Sequence, residues 1–201
     1  MPITLNKKGD SHKIDLNKKG ISQQLTVKVN LNWNQKPQQN AGFFSKLMGN
    51  DAPDLDLGCM YETVDGQKGV IQPLGGNFGA KNKAPYIFLD KDDRTGAAQD
   101  GENMTIYRPD MIKRVMFFAL IYEGAKDFQS VDGRMTFQIS NGEQVHIRLN
   151  NPDHNCPFCS AAMISNIGSQ VNIIKEERYF QGHQPADRYY KFGFQWRAGS
   201  K

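Results

Sequence analysis

The stretch Met135-Thr136-Phe137-Gln138-Ile139-Ser140-Asn141-Gly142-Glu143-Gln144-Val145-His146-Ile147-Arg148-Leu149 decides the fold. Met135, Phe137 and Ile139 alternate with polar residues, and so do Val145, Ile147 and Leu149. Side chains on a strand point to opposite faces in turn, so each run reads as a half-buried strand with one apolar face. The Ser-Asn-Gly-Glu connection between them carries the Asn-Gly pair that favours a tight reversal, and the whole is a β-hairpin. Outward from it the same signal recurs. Leu25 to Leu31 alternates apolar and polar, as does Leu55, Leu57, Cys59 and Tyr61 with Asp54, Asp56, Gly58 and Met60. Val115 to Tyr122 is almost continuously apolar, the pattern of a central strand covered on both faces.

Further short strands are predicted at Lys68–Gln72, Pro85–Leu89, Met104–Tyr107, Ala161–Ile167, Val171–Tyr179 and Tyr189–Trp196, with Ile167-Gly168-Ser169-Gln170 as a turn. Leu5-Asn6-Lys7-Lys8-Gly9 recurs as Leu16-Asn17-Lys18-Lys19-Gly20 and reads as two edge strands that pair with each other. Residues 35–53 read as a loop, with one helical turn from Phe43, Phe44, Leu47 and Met48. About a dozen strands, Gly/Asn turns and no helix longer than two turns predict an all-β fold. The expected form is a sandwich of two mostly antiparallel sheets, one domain over residues 1–201.

With 201 residues, 38% of them hydrophobic, the chain can bury a sizeable core. Its formal charge of +4 is spread along the sequence. No basic run or RNA-binding signature points to nucleic acid. No apolar run reaches the roughly 18 residues that span a bilayer. The first residues lack a charged lead before an apolar run, and the three cysteines are an odd number for a disulfide framework. A cytoplasmic location is the expectation.

Chemistry concentrates in Asp90-Lys91-Asp92-Asp93-Arg94-Thr95-Gly96 and the following Asp100-Gly101-Glu102-Asn103. Hard oxygen donors at this density repel one another unless a cation sits among them, and calcium takes six to eight such ligands. Asp54 and Asp56, two apart at a strand start, emerge on one face and are candidate distant co-ligands. The metal set read here is Asp54, Asp56, Asp90, Asp92, Asp93, Asp100, Glu102 and Asn103. The EF-hand template does not apply, since counting from Asp90 puts Arg94 and Thr95 where a ligand and a glycine are required. A solvated turn with Arg94 bridging the carboxylates is the alternative. An acid/base pair for glycoside hydrolysis would need two carboxylates in contrasting surroundings beside a cleft.

A second constellation is Asp153-His154-Asn155-Cys156-Pro157-Phe158-Cys159. Its Cys-x-x-Cys is half a zinc site at most, and Cys159 opens an apolar strand where a cysteine is usually packing. Core residues, a redox-sensitive pair and zinc ligands are the three readings. Trp33, Tyr179, Phe180, Tyr189, Tyr190, Phe192, Phe194 and Trp196 read as core aromatics, with sugar stacking as the other option. His183 reads as an exposed turn residue.

Asp54-Leu55-Asp56-Leu57, the Asp92-Asp93-Arg94-Thr95-Gly96 loop with Gly101-Glu102-Asn103, and the early Lys-Gly segments with Asn32-Trp33-Asn34 together resemble the tellurium-resistance TerD family, closest to its TerA-like branch. Ile121-Tyr122-Glu123-Gly124, Cys159-Ser160-Ala161 and the closing Tyr179-Phe180, Gly182-His183, Asp187 and Trp196 add to the resemblance, which runs the length of the chain in order. It implies a calcium-binding β-sandwich with acidic loops at one end. It also implies a cytoplasmic or peripherally membrane-associated, non-enzymatic stress-response module that acts by binding partners, other tellurium-resistance and stress proteins among them. By motif, Asp54 and Asp56 match the family's Asp-Leu-Asp, and Asp92 and Asp93 its residues before Arg-Thr-Gly. Asp100 to Asn103 match its second acidic stretch. Lys91 stands where the family has glycine, and Gly101-Glu102 where it has two aspartates, which implies fewer carboxylates for a second ion. A redox or metal-thiolate protein using Cys156 and Cys159 is the alternative function.

Overall fold

The structure, a computed structural model, describes residues 2–16, 24–34, 52–90, 101–167 and 170–197. Two six-stranded sheets face each other. In chain order the strands are β1 (Ile3–Thr4), β2 (Ser11–Asp15), β3 (Val27–Asn32), β4 (Asp54–Thr63), β5 (Lys68–Ile71), β6 (Ile87–Leu89) and β7 (Glu102–Ile106). They continue as β8 (Ile112–Glu123), β9 (Gly133–Ile139), β10 (Gln144–Leu149), β11 (Phe158–Ile167) and β12 (Gln170–Phe180), followed by one helix, α1 (His183–Tyr190). The first sheet runs β1-β10-β9-β3-β7-β6 and the second β2-β12-β11-β8-β4-β5. Every strand pair is antiparallel except β1 with β10.

The β9–β10 hairpin forms in the expected register, Phe137 opposite Val145 and Met135 opposite Ile147. The alternation in β3 puts Val27, Val29 and Leu31 inward beside Phe137, Met104 and Ile106. From the facing sheet, Leu55, Leu57, Cys59 and Tyr61 of β4 and Val115, Phe117 and Ala119 of β8 complete this inner core.

β8 has apolar residues on both faces because the second sheet is covered on both. Its other face, Met116 and Phe118, joins Met60 and Phe158 in a second apolar layer. That layer lies under Ala186 and Tyr190 of α1 and Phe192 of the tail. Gly58 makes this possible: a Cβ there would stand 2.1 Å from the Phe118 ring, which stacks on Phe158 at 4.6 Å between centroids.

Two expectations change. Tyr189–Trp196 is not a strand but the end of α1 and an irregular tail. The Leu5–Gly9 segment is a turn between β1 and β2, and these two strands edge different sheets, β1 on β10 and β2 on β12, rather than pairing with each other. The helical turn expected at Phe43 to Met48 falls outside the described residues, as does most of the second Lys-Lys-Gly copy.

Candidate functional site

The acidic end is built by four strand termini. β4 starts with Asp54 and Asp56, whose neighbours Leu55 and Leu57 are in the inner core, so the two carboxylates share the opposite face as the i, i+2 spacing dictates. Both are buried, at 5% and 1% exposure, and are not rim residues. β5 pairs with β4 only from Cys59 to Glu62, which leaves the edge at Asp54–Gly58 beyond the end of that strand. Glu102 fills it. Its neighbours on the same face of β7 are Met104 and Ile106, so its side chain enters the space between the sheets and is fully buried. There it accepts a 2.5 Å hydrogen bond from the Leu57 backbone N–H. The Asp56–Leu57 peptide thus carries Glu102 on its nitrogen and the Asp56 carboxylate on its preceding Cα.

Gly101 sets the approach of β7. Its φ is +62°, and a Cβ would lie 2.1 Å from the Leu31 carbonyl oxygen, so the chain enters β7 hard against β3 only as glycine. Trp33, just after β3, is buried and donates its indole N–H to the Pro53 carbonyl at 2.9 Å, tying the end of β3 to the start of β4. Asp90, at the end of β6, donates its backbone N–H to the Asn103 carbonyl at 2.8 Å while its side chain is exposed. Residues 91–100, with Asp92, Asp93 and Asp100, lie outside the described residues, but the segment leaves at Asp90 and re-enters at Gly101, both at this end.

Of the eight residues read as ligands, Asp54, Asp56 and Glu102 are buried carboxylates at strand starts, Asp54 and Asp56 on the outer face of β4 and Glu102 between the sheets. Asn103 faces the other way: strand alternation turns it to the outer face, where its side-chain oxygen accepts from the Asn30 amide at 3.1 Å. Among the described residues, no three or more His, Cys, Asp or Glu side chains converge closely enough to hold a metal ion. The donor chemistry suits a hard cation, because the three buried groups are all carboxylates.

Two of the three cysteines are placed as packing. Cys59 and Cys159 are fully buried in the inner core, and burial pushes both thiols up, away from the thiolate that redox or metal chemistry uses. Cys156, in the loop before β11, is also raised, by burial and by Asp153. The hydrolase reading needs carboxylates beside an open cleft, and Asp54, Asp56 and Glu102 are instead closed from solvent.

The closing motif residues assemble a second feature, missed in the sequence. Asp187 on α1 is buried and accepts three donors from the tail: the Gly193 N–H at 2.8 Å, the Phe194 N–H at 2.9 Å and the Trp196 indole N–H at 2.9 Å. His183, expected to be an exposed turn residue, is half-buried. Its Nε2 is 2.7 Å from the Gln72 side-chain oxygen, and its ring packs on Phe118, Phe158 and Trp196. This clasp holds the helix and tail over the outer face of the second sheet. The spacing Ala186/Tyr190, four apart and both buried, was the signal for the helix.

These features define a two-sheet, mostly antiparallel sandwich with a carboxylate-rich end and a C-terminal clasp. Its sequence is 34% identical over 178 residues to the tellurium resistance protein TerA of an Alcaligenes species, an alignment covering 87% of this chain and 52% of TerA. That similarity supports a TerA-like tellurium-resistance family for this chain. It spans about half the length of the curated relative it matches. No family model matches it. Among the described residues, no helix is long and apolar enough to cross a membrane.

Proposed function

We propose that this chain is a calcium-binding, non-enzymatic module associated with tellurium resistance, acting by binding partner proteins of the same stress system. The observation that supports the reading is that three carboxylates buried at strand starts, Asp54 and Asp56 of β4 and Glu102 of β7, stand at the end of the sandwich where β6 stops at Asp90 and β7 begins after Gly101. In this reading Asp54, Asp56 and Glu102 supply ligands from the strands. Asp90, Asp92, Asp93 and Asp100 supply them from the connecting segment and its flank, and Asn103, turned to the outer face, is left out of the set. Bound calcium would neutralise these groups and rigidify the end of the sandwich, which gives a partner protein or an anionic membrane a calcium-dependent surface to read.

The test is titration calorimetry of metal-free protein, with thermal melting alongside. Binding heat and a melting temperature that rises with calcium are expected, and both should be lost in Asp54→Asn/Asp56→Asn. No heat and no rise up to millimolar calcium would refute the proposal.

A further inference from the structure

The outer face of the first sheet carries an arrangement that stability alone does not favour. Arg134 of β9 and Arg148 of β10 are directly opposite each other in the antiparallel register, both pointing outward. Like charges at opposed positions destabilise a strand pair. Arg134 is offset and fixed: it donates to Asp132 at 2.6 Å, to Asn32 at 2.8 Å and to Asn34 at 3.2 Å. That uses three of the five guanidinium N–H donors. Among the described residues Arg148 has neither a carboxylate nor a hydrogen-bond acceptor.

The next cross-strand row is Thr136, His146 and Thr4 on β1. Thr136 Oγ1 and His146 Nδ1 are 3.1 Å apart. With the hydroxyl donating, the ring proton sits on Nε2, as a further donor. These side chains line a hollow of about 250 Å³. Its polar lining is thus two guanidinium groups, an imidazole and two hydroxyls. Among the described residues the one carboxylate beside it, Asp132, is already bound to Arg134, so the cluster keeps a net positive charge.

We propose that this hollow binds a small oxyanion, a phosphate group in particular. Guanidinium forks match phosphate oxygens geometrically, and an anion between Arg134 and Arg148 removes their repulsion. At ~30 Å³ per water the volume takes such an anion together with a few waters. Arg134 is the pre-positioned member and Arg148 the one that closes on the ligand. The phosphate could be free in solution or the headgroup of an anionic lipid. The inference does not rest on calcium binding.

The experiment uses the full chain in chelator, so that calcium cannot bridge. Calorimetry and melting with sodium phosphate are compared with sodium chloride at equal ionic strength. Wild type should bind phosphate, and Arg148→Gln should lose at least tenfold in affinity. Lys28→Gln, an exposed cation on the same sheet face outside the hollow, should be unchanged. In phosphate-free buffer Arg148→Gln should melt about 1–2 °C above wild type, because the repulsion is gone.

Flotation with phosphatidic acid vesicles against phosphatidylcholine vesicles separates the sources. Retention of wild type but not Arg148→Gln on the anionic vesicles assigns a lipid headgroup, and binding of inorganic phosphate alone assigns the free anion. Equal binding by wild type and Arg148→Gln, a chloride effect equal to that of phosphate, or no stabilisation of Arg148→Gln in phosphate-free buffer would overturn the proposal.

Discussion

The C-terminal clasp and the acidic end both bury carboxylates against the second sheet, and they hold them in different ways. Asp187 sits under three donors from residues six to nine positions away, so its charge is spread over local tail groups that have no other sheet to bond to. Glu62, farther along β4, is balanced by cations: Lys113 and Arg114 lie at 2.7 and 2.8 Å and hold its carboxyl down at about 2. At the acidic end Glu102 reaches across from β7 to the Leu57 N–H of β4, 45 residues away in the chain, while Asp54 and Asp56 stand on the other face of β4. The first arrangement is a fastening, in which the acid serves the chain around it. In the second, the chain is shaped around the acids, down to a glycine that lets Glu102 in. This is what separates a structural carboxylate from a candidate ligand when both are equally buried.

Asp187→Ala tests the fastening and carries the largest expected effect. Three buried donors lose a charged acceptor, each such bond contributing about 1.5–3 kcal/mol, so a loss of about 4–6 kcal/mol is expected by chemical denaturation. Amide exchange at Gly193 and Phe194 should rise steeply while exchange at Leu57 is unchanged. An equal rise at Leu57 would mean that the two regions are one cooperative unit and that the contrast fails.

Gly101→Ala tests the other side. The left-handed φ and the 2.1 Å approach to the Leu31 carbonyl force β7 away from β3, with an expected loss of about 2–4 kcal/mol. Here Leu57 should exchange faster, because Glu102 is withdrawn, and the tail amides should not respond. Unaltered stability would show that the entry to β7 relaxes cheaply and does not fix Glu102.

The strands of both regions were legible because burial on one face imposes a period of two, and β3, β9 and β10 obey it. The same rule, applied to Glu102-Asn103-Met104-Thr105-Ile106, places Glu102 inward with Met104 and Ile106 and turns Asn103 outward. Both residues lie on a strand start and not in a loop, and of the two Asn103 is the one turned away from Leu57. The acids themselves were visible as composition, but the contact of Glu102 with the Leu57 N–H depends on how the two sheets pack, which no local pattern encodes.

The clasp was hidden for the opposite reason. Phe192, Phe194 and Trp196 alternate like a strand, and they do pack toward the second apolar layer. Their backbone, however, bonds to the Asp187 side chain instead of a neighbouring strand, so the alternation survives without a ladder. The helix before it has eight residues, too few to be stable by propensity, and Gly182 offers no capping side chain. Its formation depends on burying Ala186 and Tyr190.

His183 gives the smallest effect and ties the clasp to pH. Burial among Phe118, Phe158 and Trp196 disfavours the charged ring and lowers its pKa from 6.5 to about 4. Between those values the unfolded chain binds a proton that the folded chain does not. Stability from this group is therefore complete above pH 6.5 and is lost as pH falls toward 4. At pH 5 the expected loss relative to pH 7 is about 1–2 kcal/mol. His183→Gln keeps a polar group near Gln72 and removes the titration, so the difference in stability between variant and wild type should narrow as pH drops from 7 to 5. A constant difference across that range would mean that protonated His183 is accommodated. The clasp would then tolerate charge, like the acidic end, and would lose its standing as the purely structural half of the comparison.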